Sequence, residues 1–318
     1  MKTPSSISLP ATLITPPLQG ACDVIVVNYN AGEFLRACVE SAFAAGASTV
    51  IVVDNNSRDC SLATVEQCHK TDDSLIIVRN ASNLGFAAAC NIGVRFSAAP
   101  HILFLNPDTV LSSDALDGLI DTLNSSLSIG MVGGFLCNPD GSEQPGGRRV
   151  FPTPQRALLR AFGLSRLTRF FPAAFADFLL HKDPVPADPV EVEAISGACM
   201  LVKREAMDMV GLWDEGYFLH CEDLDWCMRF GRSGWKIMFV PCARITHEVG
   251  VCSRNRPYFV EWHKHLGMLR FYRKFFRHQY PILLWGGVVV AVWFRFSLVV
   301  ARHAVRQLRH SAKARKHA

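Results

Sequence analysis

The sequence contains no Cys-x-x-Cys pair, and its eleven cysteines are odd in number and sit singly along the chain. This excludes a disulfide framework, a zinc ribbon and a thioredoxin-like redox motif, and it points to a reducing, cytosolic compartment. No G-x-G-x-x-G follows the first strand-like run, no G-x-x-x-x-G-K-[ST] occurs and no G-x-S-x-G elbow is present. A dinucleotide-binding Rossmann site, a P-loop and an α/β-hydrolase are thereby disfavoured. The first twenty residues, MKTPSSISLPATLITPPLQG, have four prolines and lack a continuous apolar core. Residues 1–22 therefore read as a disordered lead-in and not as a signal peptide. Acidic residues are missing from Arg295 onward, where seven Lys or Arg and three His occur. That asymmetry points to an anionic surface. No RNP, KH or helix-turn-helix pattern supports nucleic acid as that surface.

What is present is a strong α/β pattern in a chain of 318 residues, 49% of them apolar. The runs DVIVVN (23–28), STVIVVDN (48–55), SLIIVRN (74–80) and HILFLNPD (101–108) are apolar on both faces. Helical stretches alternate with them, at 33–45, 61–69, 86–97 and about 113–127. Such strands form a mostly parallel sheet flanked by helices, with ligands beyond its carboxyl edge. The boundaries expected are a nucleotide-binding half at 23–135, an acceptor half at 136–252 and a helical tail at 253–318. Residues 136–190 are irregular, basic and apolar. They read either as an amphipathic insert touching membrane or lipid, or as a mobile loop with a short helix.

The loops after the strands read Asn28-Tyr29-Asn30, Asp54-Asn55-Asn56-Ser57, Asn80 to Gly85 and Asn106-Pro107-Asp108. Asn, Asp and Gly are ordinary turn residues, but four polar loops on one sheet edge also suit a polar ligand. A second cluster follows. Ser196-Gly197-Ala198 places small residues on a strand where a ligand or another backbone can approach. Glu222, Asp223 and Asp225 then crowd one helix start. One acid would cap that helix, and Asp225 can pair with Arg229 at i, i+4. Close carboxylates repel and raise one pKa, which suits a general base. His247 stands alone after a strand at 235–240 and a second β-like stretch, either as a structural histidine or as a metal ligand.

Taken together, VIVVNYNAGEFLRACVESA, VIVVDNNSRD, RNASNLGFAAACNIGV, ILFLNPDTV, SGACMLVKREAMDMVGLWDE, YFLHCEDLDWCMRFGRSGWK and ITH resemble glycosyltransferase family 2, and within it the bacterial rhamnosyltransferase-like group. The resemblance runs from about Asp23 to Gly250. It implies a GT-A fold and an inverting transfer from a nucleotide sugar. Carried over by position, Asn28, Tyr29 and Asp54 would contact the base and ribose of the donor. Asn83, Gly85 and Asn91 would wall the ribose and diphosphate. Asp108 would bind a divalent metal, His247 would join it, and Asp223 would be the catalytic base. Asn106 stands where many members have a first acid, as in the rhamnosyltransferase-like group. Mg²⁺ needs few protein ligands because phosphate oxygens and water complete its shell, whereas Mn²⁺ suits a histidine better. The donor expected is dTDP-rhamnose, with a UDP-hexose or UDP-galactofuranose as the alternative, and the acceptor a lipid-linked or polysaccharide glycan of the cell envelope. A non-catalytic sugar-nucleotide or glycan-binding scaffold would need no base, so Asp54, Asp108, Asp223 and His247 together argue against one.

The segment PILLWGGVVVAVWFRFSLVV (281–300) is apolar for twenty residues except Arg295. It is long enough to span a bilayer, yet basic residues flank both sides, which suits a helix lying on an anionic leaflet. A buried core helix is the third reading. Both membrane readings put the catalytic half at the cytoplasmic face of the plasma membrane.

Overall fold

The computed structural model describes residues 22–154, 156, 179–248, 256–279 and 281–316. Residues 1–21 of the expected lead-in, residues 155 and 157–178 of the 136–190 insert and the expected boundary at 252 lie outside the described residues. The chain opens with β1 (Cys22–Asn28), α1 (Phe34–Ala44), β2 (Thr49–Asp54), α2 (Ser61–Cys68), β3 (Leu75–Arg79), α3 (Phe86–Val94) and β4 (His101–Leu105). It continues through β5 (Thr109–Leu111), α4 (Ala115–Asn124), β6 (Ile129–Cys137), β7 (Arg148–Arg149), β8 (Val190–Glu191), β9 (Ala194–Ile195) and β10 (Cys199–Lys203). Then come α5 (Arg204–Val210), α6 (Glu222–Arg232), β11 (Lys236–His247), α7 (Pro257–Phe275) and α8 (Ile282–Lys316).

Among the described residues nine strands form one sheet, ordered β3-β2-β1-β4-β10-β6-β11-β5, with β8 beside β11. The strands alternate their side chains between two layers. Val24, Val26, Val50 and Val52 face a core with Leu35, Val39, Leu116 and Leu119 of α1 and α4. Ile25, Val27, Ile51 and Val53 face the other, with Trp226 and Phe230 of α6 and Phe271 of α7. Complete burial of such side chains contributes about 1.5–3 kcal/mol each. That two-sided burial explains why these strands read as unbroken apolar runs.

The parallel arrangement holds for β3, β2, β1 and β4, where Asn28 is level with Asp54 and Asp54 with Arg79. Beyond β4 the sheet is mixed. β10 runs antiparallel to both β4 and β6, and β11 runs parallel to β6 but antiparallel to β5 and β8. The two β-like stretches expected at 235–247 are one strand. Its pairing with β6 is irregular between Val240 and Arg244, and Pro241, which has no N–H to offer a ladder, sits in that irregularity.

Candidate active site

The first three of the four loops at the carboxyl edge are tied to one another through their polar side chains. Asn28, buried at the end of β1, donates from Nδ2 to Asp54 Oδ1 (2.8 Å) and to the hydroxyls of Ser57 and Ser61. Asp54 Oδ2 accepts from the Ser57 amide (3.1 Å). Asn28 Oδ1 is buried without a hydrogen-bond partner among the described residues, and Tyr29 beside it is half-buried. Asn55 bridges the next two loops, donating to the Gly85 carbonyl (3.1 Å) and accepting from Asn80 (2.8 Å). Asn83 Oδ1 accepts from the Gly85 amide (2.9 Å).

Gly85 has φ +89°, and a Cβ there would lie 2.6 Å from the Phe218 carbonyl, which accepts from the Phe86 amide (3.0 Å). Only glycine admits both the left-handed backbone and the close approach. Asn91 is buried, and both ends of its amide are engaged: Nδ2 donates to the Trp213 carbonyl and Glu215, and Oδ1 accepts from the Trp213 amide. It positions the Trp213–Glu215 segment.

The antiparallel pairing of β5 with β11 sets Thr109 opposite His247. Asp108 and His247 therefore meet, with His247 Nε2 3.2 Å from Asp108 Oδ1. Gln144 fixes the imidazole. Its Nε2 donates to the carbonyls of His247 (2.5 Å) and Cys137 (3.4 Å) and to Asn138 Oδ1, so its Oε1 is left to accept from His247 Nδ1 (2.9 Å). Nδ1 is thereby occupied as a donor to Gln144, and Nε2, the nitrogen facing Asp108, is the one placed to join a metal ion. Among the described residues no cluster of three or more His, Cys, Asp or Glu is arranged for a metal. The pair thus fits a divalent cation that takes most of its oxygens from phosphate and water.

The three acids at the start of α6 have separate fates. Asp225 is fully buried and engaged by Arg229 (2.8 Å), Lys274 (2.7 Å) and the Tyr217 hydroxyl (3.0 Å), so the expected i, i+4 pair forms. Glu222 is buried, and burial together with the Asp223 charge pushes it up to about 8. Its Oε2 has no hydrogen-bond partner among the described residues. Asp223 goes the other way. Burial raises it, but the Arg149 guanidinium 2.5 Å from Oδ2 and the amides of Gly197 and Leu224 hold it below the ordinary carboxylate range. The crowding expected to raise a base's pKa acts on Glu222, and Asp223 is kept as an anion. His220 and Cys221, just before the helix, both have left-handed backbones (φ +68° and +71°), which are strained for such residues.

One turn joins the two clusters. The Ala198 carbonyl accepts from the Asn106 amide (3.0 Å), while the Gly197 amide donates to Asp223 (3.2 Å). The Asp108 loop and Asp223 are thereby held by adjacent residues of the small-residue stretch Ser196-Gly197-Ala198. Sequence reasoning missed two participants, Gln144 and Arg149. Both lie in NPDGSEQPGGRR, whose turn residues carry no periodicity; the paired arginines after Gly146-Gly147 were the one available signal. Arg149 is held by β7 pairing with β9 and by a bond to the Ile195 carbonyl (2.8 Å).

The family model described as Glycosyl transferase family 2 matches residues 23–208. An N-acetylglucosaminyl-diphospho-decaprenol L-rhamnosyltransferase of Mycobacterium tuberculosis is 28% identical over 182 residues, covering 54% of this chain and 58% of the relative. The rhamnosyltransferase WbbL of Escherichia coli K12 is 28% identical over 166 residues, covering 51% of this chain and 58% of the relative. The matched region thus spans 58% of the length of either relative. Among solved structures, the mannosyltransferase PcManGT from Pyrobaculum calidifontis, in complex with GDP-Man and Mn²⁺, has a TM-score of 0.55 at 14% identity. That match covers 93% of this chain and 83% of the other. GalNAc-T7 with UDP, GalNAc and Mn²⁺ has a TM-score of 0.53 at 18% identity, covering 71% of this chain and 43% of the other. The fold shared with these structures is GT-A.

Proposed function

The chain belongs to glycosyl transferase family 2, and from this premise we propose that it is an inverting glycosyltransferase using a nucleotide-sugar donor. The observation that carries the proposal is the turn at 196–198, which holds the Asp108 loop and Asp223 through neighbouring backbone groups. An acid for the donor's diphosphate and an acid for the acceptor's hydroxyl are what one displacement at a sugar carbon requires.

In this reading Asn28, Tyr29 and Asp54 receive the base and ribose, with the unpartnered Asn28 Oδ1 available to a donor N–H. Asn83 and Gly85 shape the wall beside the diphosphate, and Asn91 holds the segment behind it. Asp108 and His247 would hold Mg²⁺ or Mn²⁺, and that ion would neutralise the leaving diphosphate. Asp223 accepts the proton of the acceptor hydroxyl as that oxygen attacks from the face opposite the leaving group, so no covalent intermediate forms.

The names of the relatives support rhamnose as the sugar and, for the first of them, a lipid-linked acceptor; the donor proposed is dTDP-rhamnose, and the acceptor a lipid-linked or polysaccharide glycan in cell-envelope assembly. The work would take place at the cytoplasmic face of the plasma membrane, with the C-terminal helices as the membrane-associating part. The test is a panel of nucleotide sugars offered to the purified protein and scored by donor binding and hydrolysis. Preference for dTDP-rhamnose is expected; preference for a UDP-hexose or UDP-galactofuranose would reject the donor assignment.

Arg149 gives this mechanism a pH signature. A base works only when deprotonated, so activity falls as pH drops through the pKa of Asp223. Arg149 keeps that pKa low. Arg149→Gln is expected to move the acid limb of kcat/KM upward by about 1–3 pH units, the range over which an adjacent arginine shifts a carboxylate. A pH–rate profile with an unmoved acid limb would show that Asp223 is not the group titrating there.

A further inference from the structure

The apolar segment Ile282–Val305 is long enough to cross a bilayer, and only 11% of its window is buried. The core-helix reading therefore fails. How the segment is docked decides between the other two. α8 returns antiparallel along α7, with contacts from Tyr258 to His265 on α7 and from Trp293 to Gln307 on α8. The Tyr258 hydroxyl donates to Gln307 Oε1 (2.9 Å), Trp262 packs on Trp293 and Phe296, and Val288 and Val292 enter the main core.

Arg295, the one charge in the apolar run, points inward, its Nη1 3.2 Å from His265 Nε2. His265 is fully buried and donates from Nδ1 to the Glu261 carbonyl (2.7 Å), which leaves Nε2 to accept from Arg295. α7 is in turn fastened to the catalytic body, through Lys274 to Asp214 and Asp225 and through Arg270 to Asp214. Crossing a bilayer would require α8 to abandon all these contacts or to carry α7, with Glu261, Lys264, Arg270, Arg273 and Lys274, into hydrocarbon.

The outward face of α8 is different. Leu283, Val290, Phe294, Leu298 and Val305 are all exposed. Their spacing of seven, four, four and seven residues makes one stripe, on the side away from Val288, Val292 and Arg295. No acidic residue follows Glu261, whereas twelve Lys or Arg do. An apolar stripe among cations is complementary to an anionic lipid leaflet.

We propose that α8 is an in-plane membrane helix which seats this stripe in an anionic leaflet while its opposite face stays bound to α7. The proposal rests on the membrane reading of the tail given above and specifies its geometry. Half-exposed Trp262, packed against Trp293, adds an aromatic ring of the kind found at membrane interfaces.

The test uses the full chain and vesicle flotation. The wild type is expected to float with phosphatidylglycerol vesicles at least tenfold better than with phosphatidylcholine vesicles. Phe294→Asp combined with Leu298→Asp is expected to reduce that binding at least tenfold without lowering Tm, since both side chains are exposed. Undiminished flotation of the double variant would overturn the face assignment alone. A wild type that floats with neither vesicle would overturn the membrane reading beneath it. A dimer that forms without lipid and is dissociated by the double variant would assign the stripe to a second copy and overturn the proposal.

The in-plane geometry has its own readout. His278→Cys and Gln307→Cys are made singly in a chain whose exposed Cys60, Cys68 and Cys242, and also Cys252, have been replaced. In sealed inside-out membrane vesicles both are expected to react with an impermeant maleimide. Protection of one end alone would show a bilayer span and overturn the proposal.

Discussion

Replacing Asp223 by Asn is expected to lower sugar transfer by about two to four orders of magnitude, the usual contribution of a positioned general base, with donor binding retained. Asparagine keeps the size of the side chain and an oxygen for the Leu224 amide, but it cannot take a proton. The neighbouring acids are poor substitutes. Asp225 is consumed by Arg229, Lys274 and Tyr217, and burial, the larger cause of the raised Glu222 pKa, stays in place when the Asp223 charge is removed. The substitution also leaves Arg149 without its counter-charge, so a melting curve belongs beside the kinetics. A folded variant that binds the nucleotide sugar and still transfers at the wild-type rate would remove Asp223 from the mechanism and make Glu222 the next acid to test.

Asp108→Ala is expected to abolish metal stimulation, with a fall in turnover of at least about a hundredfold, since removing even an outer partner of a metal ligand commonly costs ten- to a hundredfold. Calorimetric titration with Mn²⁺ in the presence of the nucleoside diphosphate provides a readout separate from catalysis, and binding should be lost. Gln144→Leu should give a smaller defect of about ten- to a hundredfold in metal affinity, because His247 remains but its tautomer and orientation are no longer set. Turnover of the wild type that is unchanged in excess chelator would sink the metal assignment. An Asp108→Ala variant that titrates normally would move the metal elsewhere.

The sequence made the first half of this fold readable because each strand from β1 to β4 is buried on both faces and punctuated by polar loops. It could not reveal that β10 and β6 alternate direction, since an apolar run looks the same whichever way its neighbour points. β5 is only three residues long and follows directly on the turn after β4, although it is the strand that brings His247 to Asp108. The proposed site residues followed from motif resemblance, while their supports did not. Gln144 and Arg149 lie in a stretch rich in turn residues, where partners are chosen by tertiary packing. Arg295 appeared to weaken the apolar helix when read in one dimension. In three dimensions it is bonded to His265 on the neighbouring helix and leaves the outward stripe uncharged.

The irregular pairing of β11 with β6 between Val240 and Arg244 has a consequence for how this site tolerates change in length. A strand presents alternate residues to alternate faces, so one residue added or removed between that irregularity and His247 inverts the phase of everything beyond it. The imidazole would then project to the far side of the sheet from Asp108, although both proposed ligand residues remained present in the sequence. Parity of spacing, as well as residue identity, is thus a requirement of the proposed metal pair. A compensating single-residue change of opposite sign within the same few residues is the kind of alteration that would restore it.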